Sequence, residues 1–344
     1  MNGLPKFCFL ELHYGVRIAH RLFTGAVERQ LPFSFTVLTV YLSSMRISET
    51  ILVIPPNDPE AVQILLIAES LGLKVIRSRQ PHGATLEKEP AVLDAVYKSG
   101  CKNIVIVEIP GPNEEARLKK AGFGVYIIDH HRYTGLDRAQ NLKTGRLLPA
   151  SLIQFLRLFK VSKKQLQKLG FNPRMVRAIA WMDQGFVWEL RNRGYDWGEI
   201  QDVLNHQKSL MELVRQDTRS GKRDQAADAA WKGRVKWGRF FVVSTDQDVE
   251  IRSKISLLSA FAYKKRVPCI ILENGREFIY VQESRYAVAL YEHFGGFTYG
   301  MDRNWGYSNR HELTKISLED VKTFLDGAIS SSVEFTLGGN RFSS

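Results

Sequence analysis

The sequence predicts an α/β protein: a parallel-sheet domain followed by a smaller α/β domain, with a cleft between them. Three observations predict it. From Glu49 onward, short apolar, β-branched runs alternate with longer helical stretches, and that alternation makes right-handed βαβ units. The stretches are punctuated as helices are, with Pro59 near one start and Gly72, Gly100 and Gly122 past three ends. Finally, Val125-Tyr126-Ile127-Ile128 stops abruptly at Asp129-His130-His131. A buried strand with polar groups just past its carboxyl end sits where open α/β sheets bind ligands.

Taken in order, Thr50 to Ile54 reads as a strand, Pro59 to Leu71 as a helix and Lys74 to Arg77 as a strand. Leu86 to Ser99 is mostly helical, Asn103 to Ile109 a strand and Glu114 to Ala121 a helix, before the central strand ending at Asp129. Three helices follow, over Pro149–Phe159, Ser162–Leu169 and Pro173–Trp181, the last running into Met182-Asp183-Gln184-Gly185-Phe186, and Tyr195 to Val214 is a fourth. Residues 216–236 are charged and read as a connector. Beyond it come strands at Phe240–Ser244, Val267–Leu272 and Phe278–Gln282, with helices at Ser253–Tyr263 and Tyr286–His293. The expected organisation is residues 1–48 as an appended extension that could dock a protein partner, 49–205 as the first domain, 206–235 as the connector and 236–344 as a substrate-binding domain.

Length and composition suit two ordinary folded domains: 344 residues, 44% hydrophobic and 24% charged. The formal charge of +12 points to an acidic partner such as nucleic acid, although excess charge also serves solubility. Leu31 to Met45 is apolar but shorter than the about 20 residues a spanning helix needs. Glu11, His13 and Arg17 interrupt the early apolar residues, against a signal peptide. Cys8, Cys101 and Cys269 lie far apart and form no zinc spacing, which suits a reducing cytoplasm.

Imidazole and carboxylate together are donors for Mn, Fe and Zn. The Asp129-His130-His131 triplet resembles the signature of the DHH phosphoesterase family, which includes RecJ-like nucleases, small oligoribonucleases and cyclic-dinucleotide phosphodiesterases. Further stretches resemble the family's other motifs in order. Pro55 to Val62 is similar to a worn Asp-Gly-Asp-Ala pattern in which Asp58 and Glu60 remain, and Ile54 stands where many members carry a His. Asp58 and Glu60 read equally as a helix cap and a dipole partner. Glu108, after Ile104 to Val107, stands where the family places an Asp. Asn141 and Pro149-Ala150-Ser151 resemble the following loop and helix start, and Asp183, in Ile179 to Phe186, resembles the family's late Asp. Arg285 and Gly295-Gly296 are similar to the arginine and Gly-rich loop of the family's smaller domain, with no His after the glycines.

The resemblance covers about Glu49 to Ser308. It implies a metal-dependent phosphodiesterase or exonuclease acting slowly on short oligonucleotides or single-stranded nucleic acid. Asp58, Glu60, Glu108, His130 and Asp183 would be ligands of Mn2+ or Mg2+, with a single ion as the reduced case. In the triplet Asp129, His130 and His131, the outer two would orient ligands or touch substrate; Arg285, Gly295 and Gly296 would bind it. Two alternatives remain: a catalytically inactive RecJ-like relative serving as a nucleic-acid-binding replication or repair factor, and a small-nucleotide hydrolase. For the second of these three readings, the cations Arg215, Arg219, Lys222, Arg223, Lys232, Arg234 and Lys236 around Trp231 and Trp237 would form a strand-binding surface, or simply a solvated linker.

Overall fold

Two sheets organise the chain. A computed structural model describes residues 45–80, 85–131, 147–214, 220–310 and 312–338; the expectations for the first 44 residues, Asn141, Arg215 and Arg219 lie outside them. The first sheet comes from a run of βαβ units: β1 (Thr50–Ile54), α1 (Pro59–Ser70), β2 (Lys74–Arg77), α2 (Pro90–Lys98), β3 (Asn103–Val107), α3 (Pro112–Lys120) and β4 (Gly124–Ile128). Its strands are parallel, in the order β2-β1-β3-β4. All five residues of β1 are buried, which is what a central strand covered on both faces requires. At the edge, β2 exposes Lys74 and Arg77, charges that blunt unwanted pairing. The Asp58 side chain caps α1 by accepting from Ala61 N, and Pro59 sits at its first turn. Eight of the 12 residues of α1 are buried, because the helix is covered by its neighbours as well as by the sheet. The registers place the ends of β3 and β4 side by side, Val107 against Ile128.

Four helices cover one face: α4 (Ser151–Leu158), α5 (Lys163–Lys168), α6 (Pro173–Asn192) and α7 (Trp197–Glu212). The α6 helix runs on well past Trp181. It breaks inside, at Gly185 (φ −148°) and Phe186 (φ +59°), two residues after Asp183. A methyl group on Gly185 would lie 2.7 Å from Glu189 Cβ and 3.2 Å from Met301 Sδ, so the break closes only around a glycine. Gly185→Ala should therefore cost about 1–3 kcal/mol by overpacking, read from denaturant midpoints. Stability within a few tenths of wild type would mean that the break is loosely packed.

The second sheet follows α8 (Ser220–Lys232). Its elements are β5 (Val235–Trp237), β6 (Phe240–Thr245), α9 (Arg252–Tyr263), β7 (Cys269–Glu273), β8 (Phe278–Gln282), α10 (Ala287–Phe294), β9 (Phe297–Tyr299), β10 (Asn304–Ser308) and α11 (Leu318–Gly338). The order is β5-β6-β7-β8-β10-β9; β6 and β7 are parallel and the other pairs antiparallel. No strand pairing among the described residues joins the two sheets. From α9, Ala260 belongs to the core over the first sheet, with Leu257 and Phe261 packed against it.

Residues 206–235, expected as a charged connector, instead hold the end of α7 and all of α8. Ala226, Ala227 and Trp231 bury one stripe of α8 against Val243, Ile255 and Ile271, so a charged composition hides a packed helix. Trp231 is buried edge-on against Phe241 and Tyr263, which removes it from the expected strand-binding surface. Among the described residues no helix is long and apolar enough to cross a membrane.

Candidate metal centre

The carboxyl ends of β1, β3 and β4 and the kinked helix α6 bring four side chains together. After β1 the chain turns into α1, whose second residue is Glu60. After β3, Glu108 adopts a left-handed backbone (φ +54°), uncommon for a residue with a side chain. Its amide still donates to Ile128 O (2.9 Å), which ties that turn to the end of β4. His130 follows β4, and Asp183 precedes the break in α6.

His130 Nε2 lies 2.7 Å from Asp183 Oδ2, 3.5 Å from Glu108 Oε1 and 3.7 Å from Glu60 Oε2. One donor atom from each of Glu60, Glu108, His130 and Asp183 falls within 4.8 Å of all the others. Glu108, His130 and His131 form a second group within the same limit, so the two groups share Glu108 and His130. Neighbouring groups hold these side chains in place. Leu152 N, at the start of α4, donates to Glu60 Oε1 (2.9 Å), and Ser151 Oγ donates to Glu108 Oε1 (2.7 Å). Asp129 is buried and bonds His131 instead of joining the four. Its Oδ1 accepts from His131 N (3.0 Å) and lies 2.7 Å from His131 Nδ1, while Gln154 Nε2 donates to its carbonyl (2.8 Å). The contact with Asp129 Oδ1 places a proton on His131 Nδ1.

Three carboxylates this close repel strongly in a dry site. At the 4.8 Å limit each ionised pair costs on the order of 3 kcal/mol at an effective dielectric of about 20. Burial, then the charges of Asp183 and Glu108, holds the Glu60 carboxyl well above the usual range. Burial likewise pushes Glu108 up to about 7, opposed by His131. Asp183 is drawn down: burial acts against it, but its hydrogen bond to His130 and that ring's charge prevail. Burial works against a charged His130, but Asp183 and Glu108 raise it. His131 is also opposed by burial, yet Glu108 and Asp129 push it up to about 10. With Glu60 ionised, its buried Oε2 has no hydrogen-bond donor. Only a proton or a cation completes that atom. A mixed imidazole and carboxylate set suits a divalent transition ion, so the residues fit the metal that the motifs imply.

Neither a protein-family model nor a curated protein matches the chain. Among solved structures it is similar to an exonuclease RecJ bound to manganese, at 14% identity and TM-score 0.38 over 78% of this chain and 88% of that one. It is also similar to PggH, a pGpG-specific phosphodiesterase from Vibrio cholerae, at 9% identity and TM-score 0.37 over 82% of this chain and 98% of that one. A third is RecJ in complex with Mg2+ from Thermus thermophilus, at 13% identity and TM-score 0.35 over 78% and 48%.

Glu60, Glu108, His130 and Asp183 thus stand together. Asp58 does not join them: its Oδ1 accepts from Ala61 N (2.8 Å), and its charge adds to the upward push on Glu60 and Glu108. Ile54 is fully buried in the core and offers no donor. The other expected substrate contacts have bonds within the second half of the chain. Arg285 is exposed and bonds Tyr286 Oη (2.7 Å). Gly295 O accepts from Trp305 Nε1 (2.8 Å), and a methyl group on Gly296 would lie 2.3 Å from Gly306 O. Gly296 therefore has a packing reason beside β10, and Gly295 a backbone one, its φ of +77° at the end of α10. The supports Ser151, Leu152 N and Gln154 escaped sequence reading. The small residues opening α4 were visible, but a backbone amide leaves no trace in a motif.

Proposed function

We propose that this protein is a metal-dependent phosphodiesterase of the DHH type, slow in turnover, acting on oligonucleotides or single-stranded nucleic acid. The observation that carries the reading is the meeting of Glu60, Glu108, His130 and Asp183, with a buried Glu60 oxygen that lacks a donor. The charge of +12 supports an anionic substrate. Glu60, Glu108, His130 and Asp183 are the residues that hold the ion, with Mn2+ ahead of Mg2+ because an imidazole belongs to the set. When bound, a divalent ion there polarises a phosphoryl oxygen and lowers the pKa of its water.

The chain's own groups do the rest. Leu152 N and Ser151 Oγ fix Glu60 and Glu108 against rotation. Asp129 fixes the His131 ring, whose donor atom lies within 4.8 Å of those of Glu108 and His130, so this ring can orient or join the ligand set. Partners of this kind set ligand orientation, so Asp129→Ala should lower Mn2+ affinity about 10- to 100-fold, measured by calorimetry. An unchanged affinity would mean that the Asp129–His131 pair is independent of the ion.

Slow turnover follows from what is missing. Ile54 supplies no imidazole and Asp58 caps a helix, so one ion is expected where two would clamp both the attacking and the leaving oxygen. The same two residues favour the second reading, a non-catalytic nucleic-acid-binding relative. Hydrolysis of a labelled dinucleotide in Mn2+, compared with His130→Ala and Asp183→Ala, separates the two. Turnover lost in both variants supports the enzyme; no turnover by the wild type leaves the binding protein.

A further inference from the structure

A second concave surface lies on the helices beside the metal centre. One pocket of about 660 Å3 is lined by residues of α4, α5 and α6, among them Arg157, Lys160, Lys163, Arg177 and Trp181. A neighbouring pocket of about 470 Å3 shares Lys163, Arg177, Trp181 and Arg193 and adds Arg174. Together they form one groove, with Trp181 in both. Among the described residues no Asp or Glu lines either pocket. Two of the six cations are paired outside the groove, Arg174 with Glu199 (2.7 Å) and Arg193 with Glu189 (2.7 Å). Among the described residues, Arg157, Lys160, Lys163 and Arg177 have no carboxylate partner. Four like charges gathered without a counter-charge repel one another, and a polyanion laid along them relieves that repulsion. At one end the groove includes Gln184, the residue after Asp183, and Pro149, two residues before the Ser151 that holds Glu108.

We infer that this groove holds the phosphodiester backbone of a single-stranded nucleic acid. The inference rests on the proposed function for its biological sense, since it makes the substrate a strand longer than a dinucleotide. Spaced cations carry the phosphates. Trp181, with Arg193 5.0 Å from its ring centre, offers the aromatic and guanidinium surface on which unpaired bases stack.

The test is binding of a labelled oligothymidylate to the full chain in EDTA, followed by anisotropy across a range of salt. Metal-free conditions keep the result separate from the metal reading, which can fail on its own in the Mn2+ assay. Wild type should bind with strong salt dependence. Arg157→Ala/Lys163→Ala/Arg177→Ala should weaken binding on the order of tenfold or more at low salt and reduce the salt slope by about one per contact. The double variant Arg157→Ala/Lys163→Ala changes only exposed side chains. It should show the same direction should the triple variant fail to fold. Lys98→Ala/Lys119→Ala/Lys120→Ala removes as many charges from α2 and α3 and should bind as wild type does. Equal weakening in that control, or no binding by wild type, would overturn the groove.

Discussion

Adding Mn2+ to the metal-free protein should raise its melting temperature, by more at higher pH. A ligand that binds only the folded state stabilises it by about 2.7 kcal/mol at a hundredfold excess over Kd, or roughly 4 °C for a chain of this size. The pH dependence follows from Glu108, whose folded pKa of about 7 lies above its ordinary value of 4.5. Below the ordinary value the carboxyl is protonated in both states. Between the two values the folded chain binds more protons, so metal-free stability falls as pH rises through that window. Above about 7 the penalty is complete and the carboxylate is free to bind a cation. Protons therefore compete with Mn2+ below about 7, and the metal-dependent gain should grow from pH 6 to pH 8. A gain that is flat with pH, or none at all, contradicts a site built on Glu108.

Glu108→Gln should move two measurements in opposite directions. It should stabilise the metal-free protein by about 1–3 kcal/mol at pH 8, because it removes a carboxylate that is buried against Glu60 and Asp183. The amide oxygen can still accept from Ser151 Oγ, so little is lost in its place. The same substitution should abolish most of the Mn2+-dependent gain in melting temperature. A residue with a purely structural role would show destabilisation alone. Loss of more than about 1 kcal/mol with the Mn2+ effect intact would show that Glu108 holds the fold and not an ion.

Much of this was legible in the sequence. The β1, β2 and β8 strands lie where apolar runs and their boundaries put them, because a short run with an apolar centre between turn residues marks a strand whether it is central, as β1 is, or at an edge, as β2 is. The Asp-His-His triplet stood out because an acid and two imidazoles end an apolar run; that run was expected to be a buried strand, but β4 lies at the edge of the described sheet with Tyr126 exposed. Asp183 stood out because an acid near a helix end opposes the dipole, and its pairing with His130 offsets that cost. Other features left weaker traces. The Gly295-Gly296 pair does end α10, with Gly295 as its C-cap, whereas the β9–β10 hairpin that follows left little trace because its strands are short and mix aromatic with polar residues. The α8 helix was obscured because its buried stripe is two alanines and a tryptophan among charges. That Asp58 serves as a cap while Glu60 reaches the cluster depends on tertiary placement, and spacing alone left both uses open. The groove around Trp181 was unseen because Arg157, Lys163 and Arg177 come from three helices that only the fold brings together.

The most direct measurement is turnover of a labelled dinucleotide by the purified full chain, in Mn2+ and in EDTA, alongside His130→Ala and Asp183→Ala. The expected result is slow hydrolysis in Mn2+ that disappears in EDTA and in both variants. Hydrolysis that survives the loss of His130 and Asp183 would contradict the central claim, because the reaction would then occur elsewhere.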